Sequence, residues 1–408
     1  MFKNWWSKIR HLIPNWMVNS FFHLPVAFLA AFTYRYPGRH LKIIGVTGTD
    51  GKTTTATLIY QILLQVEKKV ALISTVSAGL HVTSPHPWKL QAFLKKIADQ
   101  DYEYLVLEVT SHGLDQHRVF GINFLMGVIT NVTHEHLDYH GTYQNYLQAK
   151  ARLFENVKIA VLNRDDRSYQ TLLTKTKKNK QTQLVTYGIK NTADFNPKKF
   201  QFKTSLPGEY NQYNCLAAIA ATSSLEIPAE KIRRTITAFK GVKGRMEKID
   251  EGQDFQVIVD FAHTSNGLKN VLKTLRESKH HRLIAVFGCA GLRDARKRPI
   301  MGKIASRLAD VSVLTAEDPR TEDVDKIINQ IARGCQKAGG VEGKNFFRIP
   351  DRSEAIKFAI QKLAKKSDIV VICGKGHEQS MCFGTTEYPW SDHKEARKAL
   401  KEKLKKKK

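Results

Sequence analysis

Cysteine is scarce in this sequence and never paired: Cys215, Cys289, Cys335, Cys373 and Cys382 are scattered, odd in number and nowhere spaced as C-x-x-C. That argues against a disulfide framework or a cysteine-rich zinc site and for a reducing, cytoplasmic setting. Long hydrophobic runs are lacking as well. The purely apolar stretch 26–32 falls far short of the ~20 residues that span a bilayer. No small-residue cleavage site follows it, which argues against a secretory signal. There is no internal repeat, and no low-complexity segment beyond the lysine-rich tail 401–408. Acidic residues are outnumbered, 38 Asp and Glu against 65 Lys and Arg, which leaves a formal charge of +27. No nucleic-acid-binding module accompanies that charge, so nucleic acid is not an expected partner. The basic residues read instead as a solvated surface suited to phosphorylated small molecules or anionic lipid.

What is present divides into three stretches. Residues 1–40 are aromatic and basic, with Trp5, Trp6, Trp16, Phe21, Phe22, Phe28 and Phe32. They read as a helix packed on the adjacent domain, with an interfacial anchor through residues 1–36 as the other reading. From 41 to 240, apolar strands near 43–46, 70–74, 104–108, 127–130 and 159–162 alternate with helical patterns. This predicts an α/β fold with a doubly wound, mostly parallel sheet. A second, Rossmann-like α/β domain is expected over 241–408, with strands near 255–259, 283–287, 311–315 and 369–373 and a hinge at 241–244.

Gly45-Val-Thr-Gly-Thr-Asp-Gly-Lys-Thr-Thr-Thr55 lies between the first of these strands and a helical pattern. Strand, glycine loop and helix in that order build a phosphate cradle, because glycines let N–H groups approach the anion and the helix N-terminus adds its dipole. Lys52 suits the β/γ-phosphates and Thr53 a magnesium ion, although Val46 occupies the place of the first Walker glycine. The expected ligand is ATP. Glu108 ends a strand of the same sheet and is placed to hold Mg²⁺. Thr130-Asn-Val-Thr-His-Glu-His-Leu-Asp-Tyr-His-Gly141 offers histidines after another strand, and Lys150 follows on a helix.

Taken together, the phosphate loop, Glu108-Val-Thr-Ser-His-Gly-Leu114, Thr130–Gly141, Ala149-Lys-Ala-Arg-Leu-Phe154, Gly208-Glu-Tyr-Asn-Gln-Tyr-Asn214, Gly244-Arg-Met-Glu247 and Val259-Asp-Phe-Ala-His-Thr264 resemble, in order and spacing, the Mur ligase family. Phe287-Gly-Cys-Ala-Gly-Leu-Arg-Asp294, Gly374-Lys-Gly-His-Glu378 and Ser391-Asp392 extend the resemblance, which runs from about residue 41 to 399 and is nearest the MurE branch. That branch adds the third amino acid to UDP-N-acetylmuramoyl-L-alanyl-D-glutamate in peptidoglycan synthesis.

The resemblance implies roles. Gly48, Thr49, Asp50, Gly51, Lys52, Thr53 and Thr54 would hold the ATP triphosphate, with Asn214, Arg245 and Asp260 on the nucleotide side. Two magnesium ions would be held by Thr53, Glu108, His136 and a carbamylated Lys150; Lys52, Glu108, His136 and Lys150 form the implied catalytic set. Thr83, Ser84, Thr110, Gln116 and Arg118 would contact the UDP-muramoyl dipeptide, and Arg293, Glu317, Asp318, Arg320, Gly374 and Glu378 the incoming free amino acid. The reaction would run through an acyl phosphate, shielded from water when the two domains close, in a protein expected to be a cytoplasmic monomer.

Several features depart from the family pattern. Only about forty residues precede the loop, where the family usually has a UDP-binding domain of roughly a hundred, a typical small-domain size. The usual Asp-Asn-Pro-Arg motif reads Glu317-Asp-Pro-Arg320, Leu292 replaces an acid, and Asp50 replaces an asparagine. Arg320 favours a diaminopimelate-like amino acid, while Asp318 adds charge against it. Two further readings are a ligase with a different acceptor, like folylpolyglutamate or cyanophycin synthetases, and a non-catalytic scaffold. The Glu108–Leu114 and Gly374–Glu378 motifs argue against the first, and the presence of Lys52, Glu108, His136 and Lys150 against the second.

Overall fold

The computed structural model of the chain describes residues 14–76, 84–278 and 280–406. Two compact units emerge. One comprises Met1–Val132, Thr142–Ser205 and Asn211–Phe239; the other comprises Thr133–Gly141, Leu206–Tyr210 and Lys240–Lys408.

The first unit is built on six strands, β1 (Lys42–Thr47), β2 (Val70–Ile73), β3 (Tyr104–Glu108), β4 (Phe124–Ile129), β5 (Ile159–Asn163) and β6 (Gln183–Tyr187). Their order is β2-β3-β1-β4-β5-β6, and every pairing is parallel. A parallel sheet is covered on both faces, so successive residues enter different cores. In β1, Ile44 and Val46 pack with Ala56 and Ile59 of the helix Lys52–Leu64, while Ile43 joins Leu90 and Leu94 of the helix Pro87–Asp99 on the other face. The chain builds β2 and β3 on one side of β1 and then crosses to β4 on the other. The carboxyl ends of β3, β1 and β4 therefore meet where the strand order reverses, the usual ligand crevice of such sheets.

The second unit has β7 (Glu247–Ile249), β8 (Gln256–Asp260), β9 (Leu283–Phe287), β10 (Val311–Leu314), β11 (Phe346–Arg348) and β12 (Ile369–Cys373), in the order β11-β10-β9-β12-β8-β7. Only β7 runs antiparallel to its neighbour. A hairpin of β13 (Ser380–Phe383) and β14 (Thr386–Pro389) follows. Strands β6, β7 and β11 and this hairpin are not anticipated from sequence. The three strands lie at sheet edges, where Gln183, Lys248 and Arg348 interrupt any apolar run, and polar edge strands are how sheets avoid pairing with other chains.

Residues Asn15–Thr33 form one helix. It contains a π turn at Asn19–His23, just before Pro25, whose ring carries no N–H to continue the regular ladder. The helix packs inward through Ala27, Ala30 and Ala31, and Asn19 Nδ2 donates to Asp115 Oδ2 at 2.7 Å.

Candidate active site

The phosphate loop leaves β1 and turns into the helix Lys52–Leu64. Gly48 and Gly51 are required there by close approach. A Cβ on Gly48 would lie 1.7 Å from Thr130 Oγ1, and one on Gly51, at φ +83°, 2.2 Å from Asn214 Oδ1. The loop tip is clamped from the end of β4. Asp50 N donates to Asn131 Oδ1 at 3.0 Å, Asn131 Nδ2 donates to the Asp50 carbonyl at 3.1 Å, and Thr130 Oγ1 donates to the same carbonyl at 2.6 Å. Asn131 thus holds the loop, a role sequence reasoning did not assign it although it lies in the Thr130–Gly141 motif directly after a strand. Lys52 Nζ donates to the Gly48 and Thr49 carbonyls at 3.1 and 2.7 Å, so the ammonium lies over the loop. Thr49 Oγ1 is 3.0 Å from the Tyr146 hydroxyl. Thr53 and Thr54 are buried in the helix's first turn, whose N–H groups have no helical acceptors and so suit an anion.

Glu108 ends β3 in register with Val46 and is fully buried. Its Oε2 accepts from Thr75 N and Thr75 Oγ1, both at 2.7 Å, while Oε1 is buried with no hydrogen-bond partner. A buried carboxylate oxygen left without a donor is costly unless a cation meets it, so the site fits a hard metal ion. Lys150, from the helix Tyr143–Ala151, is equally buried. Its Nζ donates to the Gly48 carbonyl at 2.7 Å and sits 4.7 Å from the Tyr146 ring centroid. Burial first, then the neighbouring Lys52 charge, push its pKa well below the usual lysine value, with Asp50 opposing. Both causes work against the charged amine. His136 has a left-handed backbone, φ +57°, and belongs to Thr133–Gly141 of the second unit, so it is grouped apart from Glu108 and Lys150. Among the described residues no three His, Cys, Asp or Glu side chains converge as a ready-made cage. Mg²⁺ needs none, since it relies on one or two carboxylates plus phosphate and water.

Four of the five residues expected to meet the acceptor substrate come together, and Thr83 lies outside the described residues. Thr110 N and Thr110 Oγ1 donate to Ser84 Oγ at 3.0 and 2.9 Å. Arg118 Nη1 donates to the Ser84 carbonyl at 2.6 Å, and Arg118 Nε and Nη2 both donate to Gln116 Oε1, at 3.0 and 2.6 Å. Thr110 also caps the short helix Ser111–Asp115 by accepting from Gly113 N.

In the second unit, Asp260 ends β8, its two oxygens accepting from Met246 N and Ala262 N, both at 2.7 Å. The Arg245 guanidinium stacks 4.5 Å from the Phe261 ring centroid. The residues expected to hold an amino acid follow β9, β10 and β12. Glu317 is buried, its Oε2 has no hydrogen-bond partner, and burial pushes its pKa up to about 7 against the pull of Lys297 and Lys375. Gly374 leaves room for it, since a Cβ there would be 3.1 Å from Glu317 Cγ. Asp318 Oδ1 accepts from Lys375 Nζ at 2.8 Å and from Cys382 N at 3.0 Å, and Lys375 also pairs with Glu378. Arg320 Nη1 donates to the Gly291 carbonyl at 2.6 Å. Asp318 and Arg320 both adopt left-handed backbone angles, φ +40° and +54°, a strain that concentrates at functional sites. Arg293 is depressed by burial and then by Arg320, with Asp138, Glu317 and Asp318 opposing, which places two guanidinium groups and several carboxylates in one field. Beneath them Arg352 and Asp392, both inaccessible, form a two-pronged pair at 2.8 Å, and Arg352 also donates to the Ala316 and Cys373 carbonyls.

A parallel α/β unit with a phosphate loop, a buried acid and a buried lysine of lowered proton affinity, joined in one chain to an α/β unit with a cluster of arginines and acids, is the architecture of an ATP-dependent amide ligase. The Mur ligase middle domain matches residues 46–222 and the Mur ligase glutamate ligase domain residues 244–376. The chain belongs to the Mur ligase family. A Clostridium botulinum protein named UDP-N-acetylmuramoyl-L-alanyl-D-glutamate--2,6-diaminopimelate ligase is 37% identical over 380 residues, covering 86% of this chain and 76% of its own length. A Synechococcus elongatus protein of the same name is 41% identical over 403 residues, covering 92% and 79%. A solved structure of a ligase so named superimposes with a TM-score of 0.61 at 33% identity, covering 92% of this chain and 82% of the other.

Proposed function

We propose that this protein joins a diaminopimelate-like diamino acid to the free carboxylate of UDP-N-acetylmuramoyl-L-alanyl-D-glutamate at the expense of ATP, in peptidoglycan synthesis. The observation that carries the reading is the identity, 37–41%, to ligases named for that reaction, and the geometry of both units supports it. The phosphate loop and Lys52 would hold the triphosphate with its γ-phosphorus exposed to the acceptor carboxylate. Oxygen attack there releases ADP and leaves an acyl phosphate. The amine of the incoming amino acid then attacks the acyl carbon, loses a proton and expels phosphate. Ser84, Thr110, Gln116 and Arg118 would orient the acceptor, with Thr83 beside Ser84 in sequence. Arg293 and Arg320 would receive carboxylates of the diamino acid, and Glu317, Asp318 and Glu378 its ammonium group, with Gly374 giving it space.

Thr53, Glu108, His136 and Lys150 would hold the magnesium ions, whose chemistry when bound is to neutralise charge as two anions approach. The bare Glu108 Oε1 supports this assignment. Lys150 would serve as a carbamate: its neutral amine attacks carbon dioxide, gives up a proton and becomes an anion. The depressed lysine supports that step, because only an unprotonated amine is nucleophilic. Asn214, Arg245 and Asp260 would face the nucleotide. All five cysteines are free, which supports a reducing cytoplasm.

The test is phosphate release from Mg-ATP by the purified chain with the UDP-muramoyl dipeptide. Release is expected only when an amino acid is added, strongest with diaminopimelate and much weaker with lysine and ornithine. Absence of release with all three overturns the proposal.

A further inference from the structure

The helix Asn15–Thr33 is built the wrong way round for a protein surrounded only by water. Its inward face is small, Ala27, Ala30 and Ala31, which lets it sit close against its own unit; a Cβ added at Gly121 would lie 3.1 Å from the Ala31 Cβ. Its outward face carries the large apolar residues. Phe21 is 75% exposed, Trp16 64%, Phe32 63%, Phe22 54% and Leu29 53%. Single exposed apolar residues are ordinary, but a row of them along one helix marks an interaction surface. Phe28 and Phe32 stack at 6.2 Å within that row.

The charge in the sequence that carries this helix has one sign. Residues 1–49 contain six Lys and Arg (Lys3, Lys8, Arg10, Arg35, Arg39 and Lys42) and not one Asp or Glu; the first acid in the chain is Asp50. Arg35 and Arg39, at the helix's C-terminal end, are exposed, and Arg39 stacks on Tyr36 at 4.3 Å. Asp115, the acid hydrogen-bonded to the helix, is engaged by Asn19 and by Arg152. An apolar aromatic face with a basic margin, on a helix that carries no acid of its own, complements an anionic lipid surface, where apolar burial and phosphate attraction act together.

We infer that this helix docks the protein onto anionic membrane by lying in the headgroup layer with its aromatic face down. The helix is long and apolar enough to cross a bilayer by length and composition. It is nevertheless held along its inner side by the alanine face and the Asn19–Asp115 hydrogen bond, so the lying orientation is the one compatible with its packing. This inference is independent of the substrate assignment, because lipid binding is read without turnover.

The experiment is co-sedimentation of the full chain with vesicles of phosphatidylcholine alone or mixed with phosphatidylglycerol. Binding is expected on the mixed vesicles, weakened by salt and released by alkaline carbonate. The triple variant F21S/L29S/F32S should lower the partition coefficient at least about tenfold, with thermal unfolding and ligase activity unchanged. The variant R35E/R39E should weaken binding to mixed vesicles and leave phosphatidylcholine unaffected. No binding by the parent, or equal binding by the triple variant, overturns the inference. Resistance to carbonate overturns the lying orientation. A parent dimer that becomes monomeric in the triple variant, with no vesicle binding by either, assigns the face to a second copy of the chain and overturns it too.

Discussion

Lys150 Nζ lies 2.7 Å from the carbonyl oxygen of Gly48, although the two residues are 102 positions apart. That contact buries an amine beside the phosphate loop with a second lysine nearby, and the cost of charging it there explains its lowered pKa. A depressed lysine destabilises the fold at neutral pH, since the unfolded chain binds a proton that the folded chain resists; stability recovers as pH rises toward the ordinary lysine value. Lys150→Met should therefore unfold no more easily than the parent in CO₂-depleted buffer near neutral pH. Its ligase rate should drop by about 10²–10³-fold, as for loss of one electrostatic contributor. Lys150→Ala should be equally slow and partly restored by acetate or formate, read as ADP release. An active, unrescued Lys150→Ala contradicts the carbamate.

Gly51 and Asn214 make a separate prediction. Gly51→Ala places a methyl 2.2 Å from Asn214 Oδ1 at a left-handed φ. It should weaken ATP binding and lower stability by about 1–3 kcal/mol. Gly51→Ala/Asn214→Gly should recover part of that loss, because the clash is gone and only the backbone strain remains. Strict additivity in a double-mutant cycle by thermal unfolding would refute the contact.

Arg320 should act on the amino acid alone. Arg320→Ala is expected to raise the KM for the amino acid by about tenfold or more, with the ATP KM within twofold, as for loss of one charged hydrogen-bonding partner. Equal increases in both would contradict its place in the amino-acid pocket.

Glu317 gives a pH signature. Its folded pKa, about 7, lies above that of an exposed glutamate. Between those values the folded state keeps a proton that the unfolded chain releases, so this group's contribution to stability declines as pH climbs from about 4.5 through 7. The decline reaches roughly 3–4 kcal/mol at most. Glu317→Gln should flatten the dependence of urea-unfolding free energy on pH across that window, and an unchanged slope would sink the assignment.

The central strands are legible in the sequence. Tyr104–Glu108, Leu283–Phe287 and Ile369–Cys373 are largely apolar runs because both faces of their sheets are covered. Of the edge strands, β2 is legible as the apolar run Val70–Ile73, whereas β6, β7 and β11 are not, since their residues are mixed. Ser84, Thr110, Gln116 and Arg118 are named through the family resemblance, but the hydrogen bonds that join Ser84 to Thr110 and Arg118 span 26 and 34 residues and obey no local rule.

The sequence by itself determined the phosphate loop, the strand ends that carry Glu108 and Asp260, and the family, because these depend on local order: strand, glycine turn, helix. Tertiary structure decided the rest. It set Asn131 as the clamp on Asp50, pressed Asn214 against Gly51, stripped solvent from Lys150 and Glu317 so that their proton affinities moved, and turned the aromatic side of Asn15–Thr33 outward. Each of those outcomes comes from packing between distant segments, which sets both the burial and the neighbouring charges that decide a side chain's proton affinity and pairing.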